Sequence, residues 1–270
     1  MQRTLKRLQQ PHNGIQYITS VATMEELDPF VFFDAGLMHR QDDGMRIGTH
    51  PHSGIGIITY FEGGELVHDD SGRNDATIKD GGVQWIRAGG GIWHMEHSKK
   101  KADEKAAPWP LAIHQLWLQL PPELEEGETE YQNIQPEDLP MVDNVKVIAG
   151  AYREVESPLK VPFELTYLDV KLAAGEIFEM QTIAEQSTGF VFPRIGEIEL
   201  HGQPIPLGPL GVLQQGGGEL SIQAQGDAAF VVATAVPQGL PKVVRGGSIH
   251  SNEGAMQRSL QRIEQIGGRS

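Results

Sequence analysis

The sequence predicts an all-β protein of two barrel or jelly-roll units with one helix at its C-terminal end. Three observations carry this reading. Short segments of β-type composition recur along the whole length. The 32 glycines and 17 prolines are spread among them rather than pooled in one linker, which is the punctuation of many short strands and turns. Finally, a stretch of the first half is echoed in the second.

Taken in order, strands are expected at 15–20, 30–33, 54–61, 65–69, 83–88, 112–120, 145–149, 165–171, 190–192, 197–201, 212–213, 219–223 and 228–236. Many strands of even spacing favour a closed or double-sheet arrangement that leaves few free edges. The echo pairs GGELVHDD (63–70) and the following AGGG (88–91) with IGEIELHG (195–202) and the following QGGG (215–218). The two units are therefore assigned to 1–130 and 131–270, meeting in PPELEEGETEYQNIQPEDLP (121–140), whose prolines and carboxylates read as a solvated connection. At the end, Met256, Leu260 and Ile263 fall at i, i+4 and i+7 after Asn252, with Gly267 as a stop. This spacing describes a helix laid on a barrel.

Composition narrows the function. Thirty-six acidic against 22 basic side chains leave a formal charge of −14, which disfavours direct contact with nucleic acid or anionic lipid. No cysteine is present, so a metal would have imidazole, carboxylate and other oxygen ligands, and no thiol can act as nucleophile. The N-terminal stretch lacks an apolar signal core and no apolar run approaches the length of a spanning helix. A cytoplasmic protein is expected.

The chemistry concentrates in HPHSGIGIITYFEGGEL (50–66). On a strand, residues i and i+2 share a face, so His50 and His52 point together, and Pro51 suits a rim or bulge where no ladder hydrogen bond is lost. A second such pair stands in AGGGIWHMEHS (88–98), where His94 and Glu96 share a face and Met95 and His97 turn away from it. Brought together in a barrel, the pairs aim three imidazoles and one carboxylate at one point, a donor set for a divalent metal. The second half has neither pair, its echo retains only His201, and it is expected to bind no metal.

Residues 50–97, HPHSGIGIITYFEGGELVHDDSGRNDATIKDGGVQWIRAGGGIWHMEH, resemble the core signature of the pirin family within the cupin superfamily, and HQLWLQLPPE (114–123) resembles the segment that follows it. The resemblance implies a bicupin, with a degenerate second barrel and one mononuclear metal site in the first. That metal is usually iron, with Mn, Co, Ni, Cu or Zn compatible by ligand type, and its ligands fall on His50, His52, His94 and Glu96. It also implies one of two roles. The first is a quercetinase-type dioxygenase that opens a flavonol-like aromatic substrate with O2, with Glu96 taking the substrate proton. The second is a redox-sensing regulator acting through a protein partner. The chain departs from the family pattern at Met95, where serine is usual, at Ser53, where arginine is common, and in the Gly48–Thr49 that precedes the first pair.

The remaining polar residues receive plainer readings. His68, Asp69 and Asp70, next to SGRND, are read as a hydrogen-bonded hairpin end in preference to an extension of the site. His97 and His114 are read as structural, with His114, Gln115 or a backbone carbonyl as the group that holds a ligand imidazole. KKKADEKAAP (99–108) is read as a solvated loop, and Trp85, Trp93, Trp109 and Trp117 as core or pocket lining.

Overall fold

The computed structural model describes residues 1–40, 44–72, 74–100 and 109–267. The loop reading of 99–108 lies almost wholly outside this range, as does the side chain of Trp109. Strands dominate. Among the described residues, helix is confined to Val21–Glu26, a single turn at Pro136–Asp138, and Glu253–Ile266. No helix among them is long and apolar enough to cross a membrane.

By its contacts the chain divides into two compact units, one of Met1–Thr19, Glu26–Pro29 and Leu139–Pro237, the other of Ser20–Glu25, Phe30–Asp138 and Gln238–Ser270. This differs from a cut at residue 130, and strand pairing explains the difference. Leu5–Gln9 pairs antiparallel with Leu210–Leu213, which places the N-terminal strand in the sheet of the second half. At the other end Trp93 Nε1 donates to the Ile263 carbonyl at 2.9 Å, which ties the C-terminal helix to a strand of the first half.

In the unit built on 30–138, a five-stranded sheet runs in the order Glu130–Ile134, Val83–Arg87, Ile55–Glu62, Trp109–Gln119, Phe30–Arg40. A four-stranded sheet runs Arg46–His52, Ile92–Lys99, Glu65–Asp70, Asp75–Ile78. The Ile55–Glu62 strand is central and buried on both faces over nearly its whole length, so it reads as a continuous apolar run rather than an alternation. Its Gly56 is a packing requirement, since a Cβ there would lie 2.0 Å from the buried Trp85 ring. The stretch read as a solvated connection contains the Glu130–Ile134 strand, paired with Val83–Arg87. Every residue of this edge strand is only half-buried, and it therefore lacks an apolar signal.

The other unit holds a seven-stranded sheet, with Thr188–Ile195, Ala228–Ala235 and Leu165–Leu172 at its centre, and a four-stranded sheet centred on Gly218–Ala224 and Ile198–Leu200. Leu168, Val170, Phe178, Leu200, Ile222 and Phe230 belong to its core. The sequence echo is structural: Glu65–Asp70 pairs with Ile92–Lys99 in one unit as Ile198–Leu200 pairs with Gly218–Ala224 in the other. The strand expected at 15–20 is absent. Tyr17 and Ile18 are buried in a loop, and their apolarity imitates a strand.

The C-terminal helix follows expectation. Asn252 Oδ1 accepts from the Ala255 N–H at 2.9 Å, Gly267 ends the helix at φ 66°, and Ala255, Met256, Ser259 and Ile263 form the buried face, with Leu260 half-buried. Gly56→Ala should lower stability by about 1–3 kcal/mol, the cost of overpacking a close-packed core. A lower urea midpoint with an unchanged slope would show it.

Candidate metal centre

The site begins with a strand register. In the four-stranded sheet His50 lies opposite His94 and His52 opposite Ile92, with a bulge in the pairing between Ile47 and His50. His94, Glu96 and Ser98 are buried while Trp93, Met95 and His97 turn to the other face, as the alternation requires. The His50 and His94 Nε2 atoms stand 3.0 Å apart, and the His52 ring lies 4.8 and 5.0 Å from the rings of His50 and His94. One ligand atom from each of the three imidazoles lies within 4.8 Å of the others.

Backbone carbonyls decide which nitrogen two of these rings present. His50 Nδ1 donates to the Gly48 carbonyl at 2.7 Å, and His52 Nδ1 to the Gly247 carbonyl at 2.8 Å. A carbonyl only accepts, so the proton sits on Nδ1 and the Nε2 lone pair is free to ligate. Burial, opposed by the Gly247 carbonyl and reinforced by His50, brings His52 down to about 3. Burial and the neighbouring imidazoles hold His94 well below the usual histidine range. Neutral rings are what a metal ion needs, and the donor set fits a divalent ion of intermediate softness.

Glu96 is fully buried and faces His68 across the adjacent strand pair. Its Oε1 accepts from the Gln84 amide and its Oε2 from Gln115 Nε2 at 3.4 Å. Both amides are fixed in orientation: Gln84 Oε1 accepts from the Tyr131 hydroxyl at 3.3 Å, and Gln115 Oε1 accepts from Trp117 Nε1 at 2.9 Å. Burial raises the Glu96 carboxyl above its ordinary range despite His68 and these amides. The four expected residues, joined by His68, thus form two overlapping triads that share His94: His50, His52 and His94, and then His68, His94 and Glu96.

His68 departs from its hairpin-end reading. It is fully buried, stacked on Tyr131 at 4.8 Å, and its Nε2 bonds Asp70 Oδ2 at 2.9 Å. Asp70 keeps the turn role by accepting from the Asn74 N–H at 3.1 Å. Burial pushes the Asp70 carboxyl up, but the bonds from His68 and Asn74 outweigh it, and its pKa falls. Asp69 is exposed. His114 packs against Tyr60, and His201 bonds the Glu219 carbonyl at 2.8 Å. Among the described residues, both ligand groups belong to the unit built on 30–138.

One feature was hidden from sequence reading. Asp34, Gln115, Thr59, Gln84 and Asn133 occupy one register row across the five-stranded sheet, and Gln115 and Gln84 from this row hold Glu96. Only isolated polar residues within apolar strands hint at it, and the row exists only once five strands are aligned. Among the described residues Asp34 Oδ1 is buried without a hydrogen-bond partner, and burial raises its carboxyl to about 6.

Residues 8–118 match the family model described as Pirin. Residues 8–118 are thus similar to a pirin domain, and the curated relatives include proteins named pirin and pirin-like. A pirin-like protein from Caulobacter vibrioides is 27% identical over 258 residues, covering 90% of each chain. Among solved structures, quercetin 2,3-dioxygenase from Acinetobacter baumannii superposes with a TM-score of 0.86 at 25% identity over 99% of each chain. The bacterial pirin YhhW from Escherichia coli, solved in complex with nickel(II), gives a TM-score of 0.64 at 19% identity, covering 86% of this chain and 99% of that one. The all-β bicupin architecture of this chain agrees with the expected fold class.

A pH dependence follows from Asp34. Its folded carboxyl titrates near 6 against an ordinary value of 3.8, so the folded state binds the proton more tightly between those values and stability falls as pH rises through them. Asp34→Asn should remove that fall and raise stability at pH 7 by about 1–2 kcal/mol, given about 1.4 kcal/mol for each pH unit between the two values and partial solvent screening. Urea unfolding of both forms at pH 4 and pH 7 checks the sign.

Proposed function

We propose that this chain is a pirin-type, metal-dependent dioxygenase for flavonol-type substrates, with one divalent ion held by His50, His52, His94 and Glu96, and Fe(II) favoured by availability. The observation that carries the reading is the convergence of three imidazoles beside a buried, amide-held carboxylate, with the tautomers of His50 and His52 set by the Gly48 and Gly247 carbonyls. The likeness to the Acinetobacter quercetin 2,3-dioxygenase and the nickel(II) complex of YhhW support it.

When bound, the ion would supply Lewis acidity toward a deprotonated enol or catechol-like oxygen. The protein's own groups do the rest. Glu96, with its proton affinity raised by burial, accepts the substrate hydroxyl proton. Gln84 and Gln115 hold its two oxygens, and Tyr131 and Trp117 keep those amides from flipping. Trp117 packs edge-on against His52 at 4.7 Å and against Phe32 at 4.3 Å, an apolar wall suited to an aromatic substrate and to excluding water.

Oxygen uptake with a panel of flavonols, normalised to bound metal, tests the reading. Glu96→Gln should keep the pocket's shape and much of the metal while turnover per metal falls by about 10² to 10⁴, the usual worth of general-base assistance. His50→Ala should lose metal and turnover together, as elemental analysis would record. Unchanged turnover per metal in Glu96→Gln removes the base role. No uptake by the fully metallated chain overturns the dioxygenase reading in favour of a regulatory one.

A further inference from the structure

Three fully buried polar residues near the centre take no part in the chemistry above. Ser53 Oγ lies 2.9 Å from His250 Nε2, and Glu125 Oε2 lies 3.4 Å from His250 Nδ1. The same carboxylate accepts from the Ser251 N–H and Ser251 hydroxyl, each at 2.6 Å. A carboxylate beside Nδ1 favours a proton there, which leaves Nε2 to accept from the Ser53 hydroxyl. The order hydroxyl, imidazole, carboxylate is that of a nucleophile relay. Ser53 and His250, however, have no solvent exposure, so no substrate reaches the hydroxyl, and the cluster holds structure in place.

What it holds is the segment that faces His52. The Ile249 N–H donates to the Ser53 carbonyl at 3.1 Å, and Ser53 bridges Ser248 in parallel fashion. Residues 247–250 therefore lie beside the end of the ligand strand. Two glycines permit this approach: a Cβ on Gly54 would stand 1.9 Å from the Ile249 carbonyl oxygen, and one on Gly247 would stand 2.7 Å from His52 Nδ1. The Gly247 carbonyl is the group that accepts from His52 Nδ1.

We propose that Ser53, His250 and Glu125 form a buried latch that seats the Gly247 carbonyl on His52 and so selects the ring nitrogen that His52 offers to a metal. They are positioning residues, and the C-terminal segment is part of the centre although it supplies no ligand. The inference rests on the proposed ligand role of His52.

The test reads the tautomer directly. In the full chain, labelled with 15N-histidine and freed of metal by chelation, long-range proton–nitrogen correlation should show His52 protonated on Nδ1. Ser53→Ala and His250→Gln should each shift His52 toward protonation on Nε2 and weaken nickel(II) binding about 10- to 100-fold, the usual effect of removing a group behind a metal ligand. If His250→Gln fails to fold, Ser53→Ala decides alone, because it deletes one hydroxyl and adds no bulk. A wild-type His52 protonated on Nε2, or a tautomer and nickel affinity unchanged in Ser53→Ala, overturns the latch. Absence of flavonol turnover alongside the expected tautomer and nickel results would sink the dioxygenase reading and leave the latch standing.

Discussion

The antiparallel register between Arg46–His52 and Ile92–Lys99 is the constraint on which the candidate centre depends. Opposing residues in such a ladder have Cβ atoms about 5 Å apart, close enough for two imidazoles to share one ion. Placing His50 against His94 therefore creates the centre in a single step. A slip of one residue would leave the two ligand pairs on opposite faces. The bulge between Ile47 and His50 lets the first pair meet its partner without forcing the rest of the strand into the same phase, a use to which bulges are often put beside functional sites. Pro51, which has no N–H to contribute, sits in this irregular part of the ladder at little cost.

Around that register the surroundings act through the backbone and through amides rather than through more charge. Buried ionised groups are costly unless paired, and the centre avoids most of this by keeping His52 and His94 neutral and by giving Glu96 two amide donors. The amides are held in turn by a phenol and an indole, so orientation passes outward from Glu96 to Tyr131 and Trp117. Such a fully connected network has one preferred arrangement. The opposite case is Asp34, whose unpartnered oxygen leaves a carboxyl poised to stay protonated into mildly acidic conditions.

The two units also show how one architecture carries unequal chemistry. Corresponding hairpins recur in both, yet the second places Ile198, Leu200, Leu220 and Ile222 in its core, whereas the first puts His68, His94 and Glu96 on buried positions of the matching strands. Apolar side chains in the second unit supply packing, and the polar ones in the first trade some of that packing for a site.

The sequence by itself determined the all-β class, the terminal helix with its Asn252 cap and Gly267 stop, and the identity of the two same-face pairs, because period-two alternation and capping are local properties of a few adjacent residues. It also determined which half holds the candidate site, since the second half lacks both pairs. Tertiary structure alone decided the rest. The weakly patterned strand Leu5–Gln9 joined the second half through its pairing with Leu210–Leu213, and Glu130–Ile134 became an edge strand that no apolar run announced. His68, read as part of a hairpin end, joined the centre, the row from Asp34 to Asn133 assembled, and Gly247 reached His52 across 195 positions. Each of these depends on strands distant in sequence being laid in register, and a register is a relation between segments that neither segment encodes alone.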